Sequence, residues 1–259
     1  MVWNRRPDAE LMSLQAALDA MGQDAVMTRR SDEVAVSQIV GTVARAGDFD
    51  AGFRPRNRRL RERRRRILDA MASDVLAPID VIQLGELFFV VDGHHRVSAA
   101  RELRRPTMTA RVIRICTVAF AMGCLRPSHL PSKAAERRFL ERVPLPWDVR
   151  ADLWLPDPAD WARLADAVES WGYNQTLRGR RLTDREQLAG VWWAEEVTPV
   201  LRRLRELQSH LDLRDVELYS RALAARDRQG WLEWPESSHL HAVADRLGDR
   251  RRPTESRAP

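Results

Sequence analysis

Lysine is almost missing from this chain. Lys133 is the only one, so 42 of the 43 basic residues are arginine. Cysteine is nearly as scarce, with only Cys116 and Cys124. Two cysteines are too few for the disulfide framework of a small secreted domain. Cys116, Cys124 and His129 also make a poor zinc set, because they include neither a close Cys pair nor a His pair at finger spacing. No apolar run approaches the ~20 residues that a membrane span needs. The opening residues, MVWNRRPDAELMS, lack the apolar core of a signal peptide. These shortages predict a cytoplasmic protein with no membrane partner. Internal repeats are lacking as well.

What is present is a chain of 259 residues, 44% hydrophobic and 31% charged, ordinary values for a globular protein of one large or two small domains. The net charge of +6 is not spread evenly. Residues 54–66, RPRNRRLRERRRR, hold nine arginines and one glutamate, a net of +8, and the rest of the chain carries −2. A helix is predicted over this segment, from about Asn57 to Ser73, with Leu60, Ile67, Leu68 and Met71 as a narrow apolar stripe. Arg58, Arg61, Arg63, Arg64 and Arg65 are then candidate nucleic-acid contacts, able to bind phosphate backbones without sequence preference. The alternatives are a nucleotide site or a solvated face in an arginine-rich proteome.

The pattern along the chain predicts a helix over 8–21 capped by Asp8, and a short strand at VAVSQIV. A loop with three glycines follows, and then the basic helix. Strands at Ile79–Gln83 and Leu87–Val91 form a hairpin around Leu84, Gly85 and Glu86. A helix runs from near His94 to Leu103, and a strand from Thr109 to Ile115. Beyond residue 117 helices dominate. They are expected at Ser132–Arg142, from Pro158 behind the cap Asp157, and from the capping box of Thr183 and Glu186 to Leu207 with a kink at Pro199. Two more are expected near 214–228 and 236–247. The tail GDRRRPTESRAP is expected to be disordered. Seven tryptophans between Trp154 and Trp234 are expected mainly in the core.

One short stretch carries chemistry. In VVDGHHRVSAAREL a strand ends, a glycine turns the chain, and a helix begins on His94, His95 and Arg96. Cations at a helix N-terminus oppose its dipole, unless an anion binds there. Gly93, His94, His95 and Arg96 are therefore candidate phosphate ligands. Asp92 is placed to hold the magnesium that accompanies phosphates or to orient a histidine. A purely structural turn is the competing reading. If both imidazoles meet phosphate, their protonation should strengthen binding between about pH 8 and pH 6.

The same residues resemble the ParB/sulfiredoxin superfamily. The corresponding turn reads Gly-Glu-Arg-Arg in ParB proteins, where it binds CTP phosphates, and Gly-Cys-His-Arg in sulfiredoxin, which handles ATP. The free-serine kinases of the superfamily have Asp-Gly-His-His-Arg, as this chain does. The resemblance covers about residues 32–116 and adds Thr42 and Arg45, in the loop that closes over nucleotide. It implies Mg2+ with CTP, ATP or ADP as cofactor, and Asp92, His94 and His95 as catalytic groups. There are departures. His94 replaces the acidic residue of ParB, the sulfiredoxin cysteine is absent, and no Glu lies between Val34 and Arg61 to match the kinase base. Asp48 or Asp50 would have to serve instead. No helix-turn-helix is visible over 132–171, where Pro144, Pro146, Pro156 and Pro158 intervene. The stretch WGYNQTLRGRRLTDREQLAGVWWAEEVTPVLRRLRE is similar to a region that follows the nucleotide domain in some ParB-like bacterial proteins.

The sequence thus predicts an α/β (α+β) protein, with a ParB/sulfiredoxin-like small mixed sheet followed by a mostly helical domain. The expected divisions are a helical segment 1–31, a nucleotide-binding domain 32–116, a linker with a helix 117–150, a helical accessory domain 151–248 and a tail 249–259. The leading function is nucleotide binding, with hydrolysis or phosphoryl transfer as extensions, in a bacterial regulatory or DNA-associated switch. The alternatives are a non-specific nucleic-acid-binding protein and a small-molecule kinase acting on a serine-like substrate. A homodimer is left open.

Overall fold

The computed structural model describes residues 11–57, 62, 77–207, 212–231 and 234. The chain divides into two compact units, Met1–Arg137 and Arg138–Pro259. The first carries a seven-stranded mixed sheet and the second is helical, so the fold is α+β. The basic segment with Arg58, Arg61, Arg63, Arg64 and Arg65, the helix expected near 236–247 and the tail all lie outside the described residues.

The strands are β1 (Met12–Ser13), β2 (Gln23–Val26), β3 (Arg30–Ala35), β4 (Ile39–Thr42), β5 (Ile79–Leu84), β6 (Leu87–Asp92) and β7 (Thr107–Thr117). Their order is β1-β4-β6-β5-β7-β2, with β3 also paired to β7. The expected hairpin is β5–β6, antiparallel, with Leu84 opposite Leu87. Gly85 turns it at φ +51, and a Cβ there would lie 2.3 Å from the Ala121 carbonyl oxygen. In β6, Leu87 to Val90 are all buried. Each such side chain contributes roughly 1.5–3 kcal/mol by leaving water. β7 alternates exposed and buried residues over its first six positions, as its sequence predicts for a strand with one covered face.

Two expectations in this unit need correction. The helix predicted over 8–21 is α1 (Leu14–Met21), capped by Ser13 and not by Asp8. Met12 and Ser13 are taken by the sheet, pairing in parallel with Gly41 and Thr42. Gly41 permits that approach, since a Cβ there would meet the Met12 oxygen at 2.3 Å. The single strand expected at VAVSQIV is two strands, separated by a 3-10 turn at Val36–Gln38. β3 pairs with β7 and β4 with β6. In a flat sheet those positions would be four spacings apart, about 19 Å. The four residues from Ala35 to Ile39 span at most about 14 Å, so the sheet must curl to be connected this way. Val36 and Ile39 are both buried on the way, which keeps the apolar alternation running through the break.

After β6, Gly93 leads into α2 (His94–Glu102), and after β7 the chain reaches α3 (Leu130–Arg142). The second unit contains α4 (Trp147–Arg150), α5 (Pro158–Leu177), α6 (Arg185–Trp192), α7 (Thr198–Leu207) and α8 (Asp215–Arg228). α5 starts as predicted: Asp157 accepts from the Ala159 amide at 2.9 Å with Pro158 in the first position. The expected Thr183/Glu186 box is shifted by one residue. Asp184 is the cap and accepts from the Gln187 amide at 2.7 Å, while Gln187 reaches back to the Thr183 amide. The helix expected to kink at Pro199 instead widens into a π-turn at Trp193–Val197 and continues as α7. Proline has no N–H for the usual bond to residue 195. The Thr198 hydroxyl donates to the Trp193 carbonyl at 2.9 Å within the widened turn. Of the tryptophans, Trp161 and Trp192 are in the core, whereas Trp154, Trp171, Trp193, Trp231 and Trp234 are half-buried.

Candidate functional site

The stretch singled out by sequence lies at the junction of β6 and α2. Gly93 has φ +106 and ψ 18, a left-handed conformation that L side chains rarely adopt. A Cβ there would also lie 2.4 Å from Ile79 Cγ2. The first in-helix bond of α2 runs from the Val97 amide to the Gly93 carbonyl, 3.0 Å. Helix geometry gives the amides ahead of it no in-helix acceptor, and the dipole is positive at that end.

His94 and His95 are each only 5% exposed. The loop after β4 covers them. Phe49 stacks on His94, with ring centres 5.5 Å apart, and meets His95 edge-on at 5.3 Å. The Thr42 hydroxyl and His94 Nε2 are 2.7 Å apart, and the same hydroxyl oxygen accepts from the Arg45 amide at 3.3 Å. Thr42, the Arg45 backbone and His94 are therefore brought together. Burial, reinforced by Arg45 and His95, lowers the His94 pKa to about 4, against the opposing pull of Asp92 and Asp48. In the free protein His94 therefore stays neutral between pH 8 and pH 6.

Arg96 is placed differently from a free phosphate ligand. Its Nη1 donates to the carbonyls of Ala77 (2.8 Å) and Pro78 (2.7 Å), and its Nη2 donates to Asp92 at 2.5 Å. The side chain is 18% exposed and that of Asp92 71%. Arg96 thus ties the residues before β5 to the Gly93 turn. Arg45 is exposed and has no ion pair among the described residues. It is the cation of this cluster left available to a ligand.

Asp48 and Asp50 shape the covering loop. Asp50 Oδ1 accepts from the amides of Gly52 and Arg54, each at 2.8 Å. The Asp48 carbonyl accepts from the Arg56 amide at 3.0 Å. Sequence reasoning missed Phe49 and Phe53, both fully buried. It also missed Arg101, which donates to the carbonyls of Ile39 (2.5 Å) and Ala51 (3.1 Å) and lies 4.8 Å above the Phe53 ring. Two phenylalanines inside GDFDAGFRP were the available signal, since loops that stay in solvent seldom carry a pair of large apolar groups. Phe53 has φ +61, a strain of about 1–2 kcal/mol that its burial offsets.

No three of His, Cys, Asp and Glu gather among the described residues. Asp92 is a single carboxylate already bonded to Arg96, so magnesium would reach it only with most of its ligands supplied by phosphates and water. Cys124 is exposed, Cys116 half-buried, and His129 Nδ1 accepts from the Arg126 amide at 3.2 Å.

No protein-family model matches the chain, and a search of curated proteins finds no match. Among solved structures, the chain is similar to "Structure of the C2221 form of Pnob8-like ParB-N domain". The identity is 11% and the TM-score 0.23, covering 80% of this chain and 84% of that one. A likeness at that TM-score is too weak to carry a functional conclusion.

Proposed function

We propose that the first unit binds a nucleotide, with its phosphates at the N-terminus of α2 beside Gly93 and Arg45. The observation that carries this reading is the left-handed Gly93 turn that ends a buried strand and opens α2, with the exposed Arg45, free of ion pairs among the described residues, on the loop bonded to His94 through Thr42. The DGHHR resemblance supports it. His94 serves as a neutral hydrogen-bonding group, and Phe49 covers both imidazoles. Magnesium, where it accompanies the nucleotide, neutralises phosphate charge beside Asp92. The reading stops at binding: Asp50, one candidate base for phosphoryl transfer, is committed through Oδ1 to two amides of its own loop.

Calorimetric titration of the full chain with CTP, ATP, ADP and GTP, with and without Mg2+, tests the proposal. Saturable binding of at least one nucleotide is expected. Arg45→Ala should weaken it about tenfold, the size of one charge-assisted contact, without changing the melting temperature. Failure of all four to bind under both conditions overturns the reading.

A further inference from the structure

The helical unit contains a cleft of about 780 Å3, within the size range of small-molecule sites. One face of α5, from Arg163 to Gln175, and Arg178 just after it form a wall, and Trp234, packed on the buried Tyr219, forms the aromatic floor. Trp234 is held in one orientation from three sides. Its Nε1 donates to Glu196 Oε1 at 2.5 Å, the Arg226 guanidinium lies 5.0 Å from its ring centre, and Tyr219 packs at 5.5 Å. Glu196 belongs to the π-turn, an irregularity frequent at functional sites.

The charges around this cleft are not equivalent. Arg163 is bonded to Asp160 and Arg226 to Asp227, and Arg178 is also engaged. Arg203 is half-buried and has no hydrogen-bond or ion-pair partner among the described residues. A guanidinium partly withdrawn from water in a cleft that also presents an aromatic ring gains most from an anion that brings its own apolar body. The amides of Asn174 and Gln175 on the α5 wall add neutral donors. Asp166, exposed on the same wall, disfavours an anion placed beside it.

We propose that this cleft binds a flat aromatic acid, its ring against Trp234 and its anionic group on Arg203. The site is separate from the Gly93 turn, and neither proposal depends on the other.

The test uses 2-naphthoate and its neutral counterpart 2-naphthamide, titrated calorimetrically into the full chain. Naphthoate should bind at one saturable site, with the amide about tenfold weaker. Arg203→Gln should bring naphthoate down to the level of the amide while leaving amide binding and the melting temperature unchanged. Ala167→Trp, which fills the wall from α5, should remove both. Naphthoate binding that is absent, or that survives Arg203→Gln at full strength, overturns the proposal.

Discussion

His94 is fixed by two neighbours, the Thr42 hydroxyl at its Nε2 and the Phe49 ring on its face, and Arg45 adds positive charge that disfavours its protonation. Its lowered pKa has a consequence for stability with a definite sign. As pH falls below about 6.5 the unfolded chain takes up a proton at this residue, whereas the folded protein resists until about 4. The group therefore destabilises the fold progressively from pH 6.5 down to 4, by about 3 kcal/mol at the acid end. NMR titration of the His94 ring should give a midpoint below 5; a midpoint near 6.5 would show that the imidazole is hydrated and the Phe49 cover absent. Arg96→Ala makes a complementary test. Because its Nη1 holds two backbone carbonyls, the substitution should cost about 2–3 kcal/mol of stability. A variant that melts like the wild type would return Arg96 to the role of a free phosphate ligand. Gly93→Ala should cost about 1–3 kcal/mol through its positive φ and the approach of Ile79.

At the level of elements, α3 contains the least expected pair. The chain's only lysine, Lys133, and Glu136 are both completely buried and 2.6 Å apart. Burial pushes the Glu136 pKa up to about 7, although Lys133 and the Phe120 backbone pull it down. Between pH 4.5 and 7 the folded state holds a proton here that the unfolded state does not, so this residue's contribution weakens as pH rises through that window. Lys133→Met alone should cost roughly 3–5 kcal/mol at pH 7, because it strands a buried carboxyl group. The double change Lys133→Met with Glu136→Leu should recover most of that loss. Urea denaturation of the single and double variants checks this, and a single variant within about 1 kcal/mol of wild type would contradict the burial of the pair. Nothing in the sequence marked these two residues, since a lysine and a glutamate three apart on a helix normally sit in solvent. The β5–β6 hairpin, α2 and the Gly93 turn were legible because turn glycines and apolar runs act locally. The β3–β4 break was not, because an alternating pattern continues unchanged through a 3-10 turn whose residues stay buried. The cover over the histidines was hidden for a similar reason. Phe49 and Phe53 find their partners only after the loop folds back onto α2, and Arg101 finds its carbonyls 50 and 62 residues away.

At the scale of the whole molecule, charge is the property that one part of the chain owns. The +8 of residues 54–66 exceeds the net +6 of the protein. Most of these residues lie outside those described, and it is their charge that matters here. Arginines packed at this density should attract a phosphate backbone by releasing its condensed counterions, with no need to read bases. The chain should therefore bind duplex DNA of any sequence at about 50 mM salt and lose affinity steeply toward about 200 mM. Each phosphate contact adds about 0.9 to the slope of log K against log salt, so replacing Arg63, Arg64 and Arg65 with Gln should flatten that slope by about 2–3. Fluorescence anisotropy with two unrelated duplexes across a salt series measures both quantities. A preference for one duplex that survives the triple change would place recognition elsewhere in the chain. Absence of binding at low salt would leave the arginines as a nucleotide-facing or solvated segment. If binding occurs, adding a nucleotide that binds near Arg45 shows whether the two anions compete, because a shared site would release the DNA as nucleotide saturates and separate sites would leave it bound.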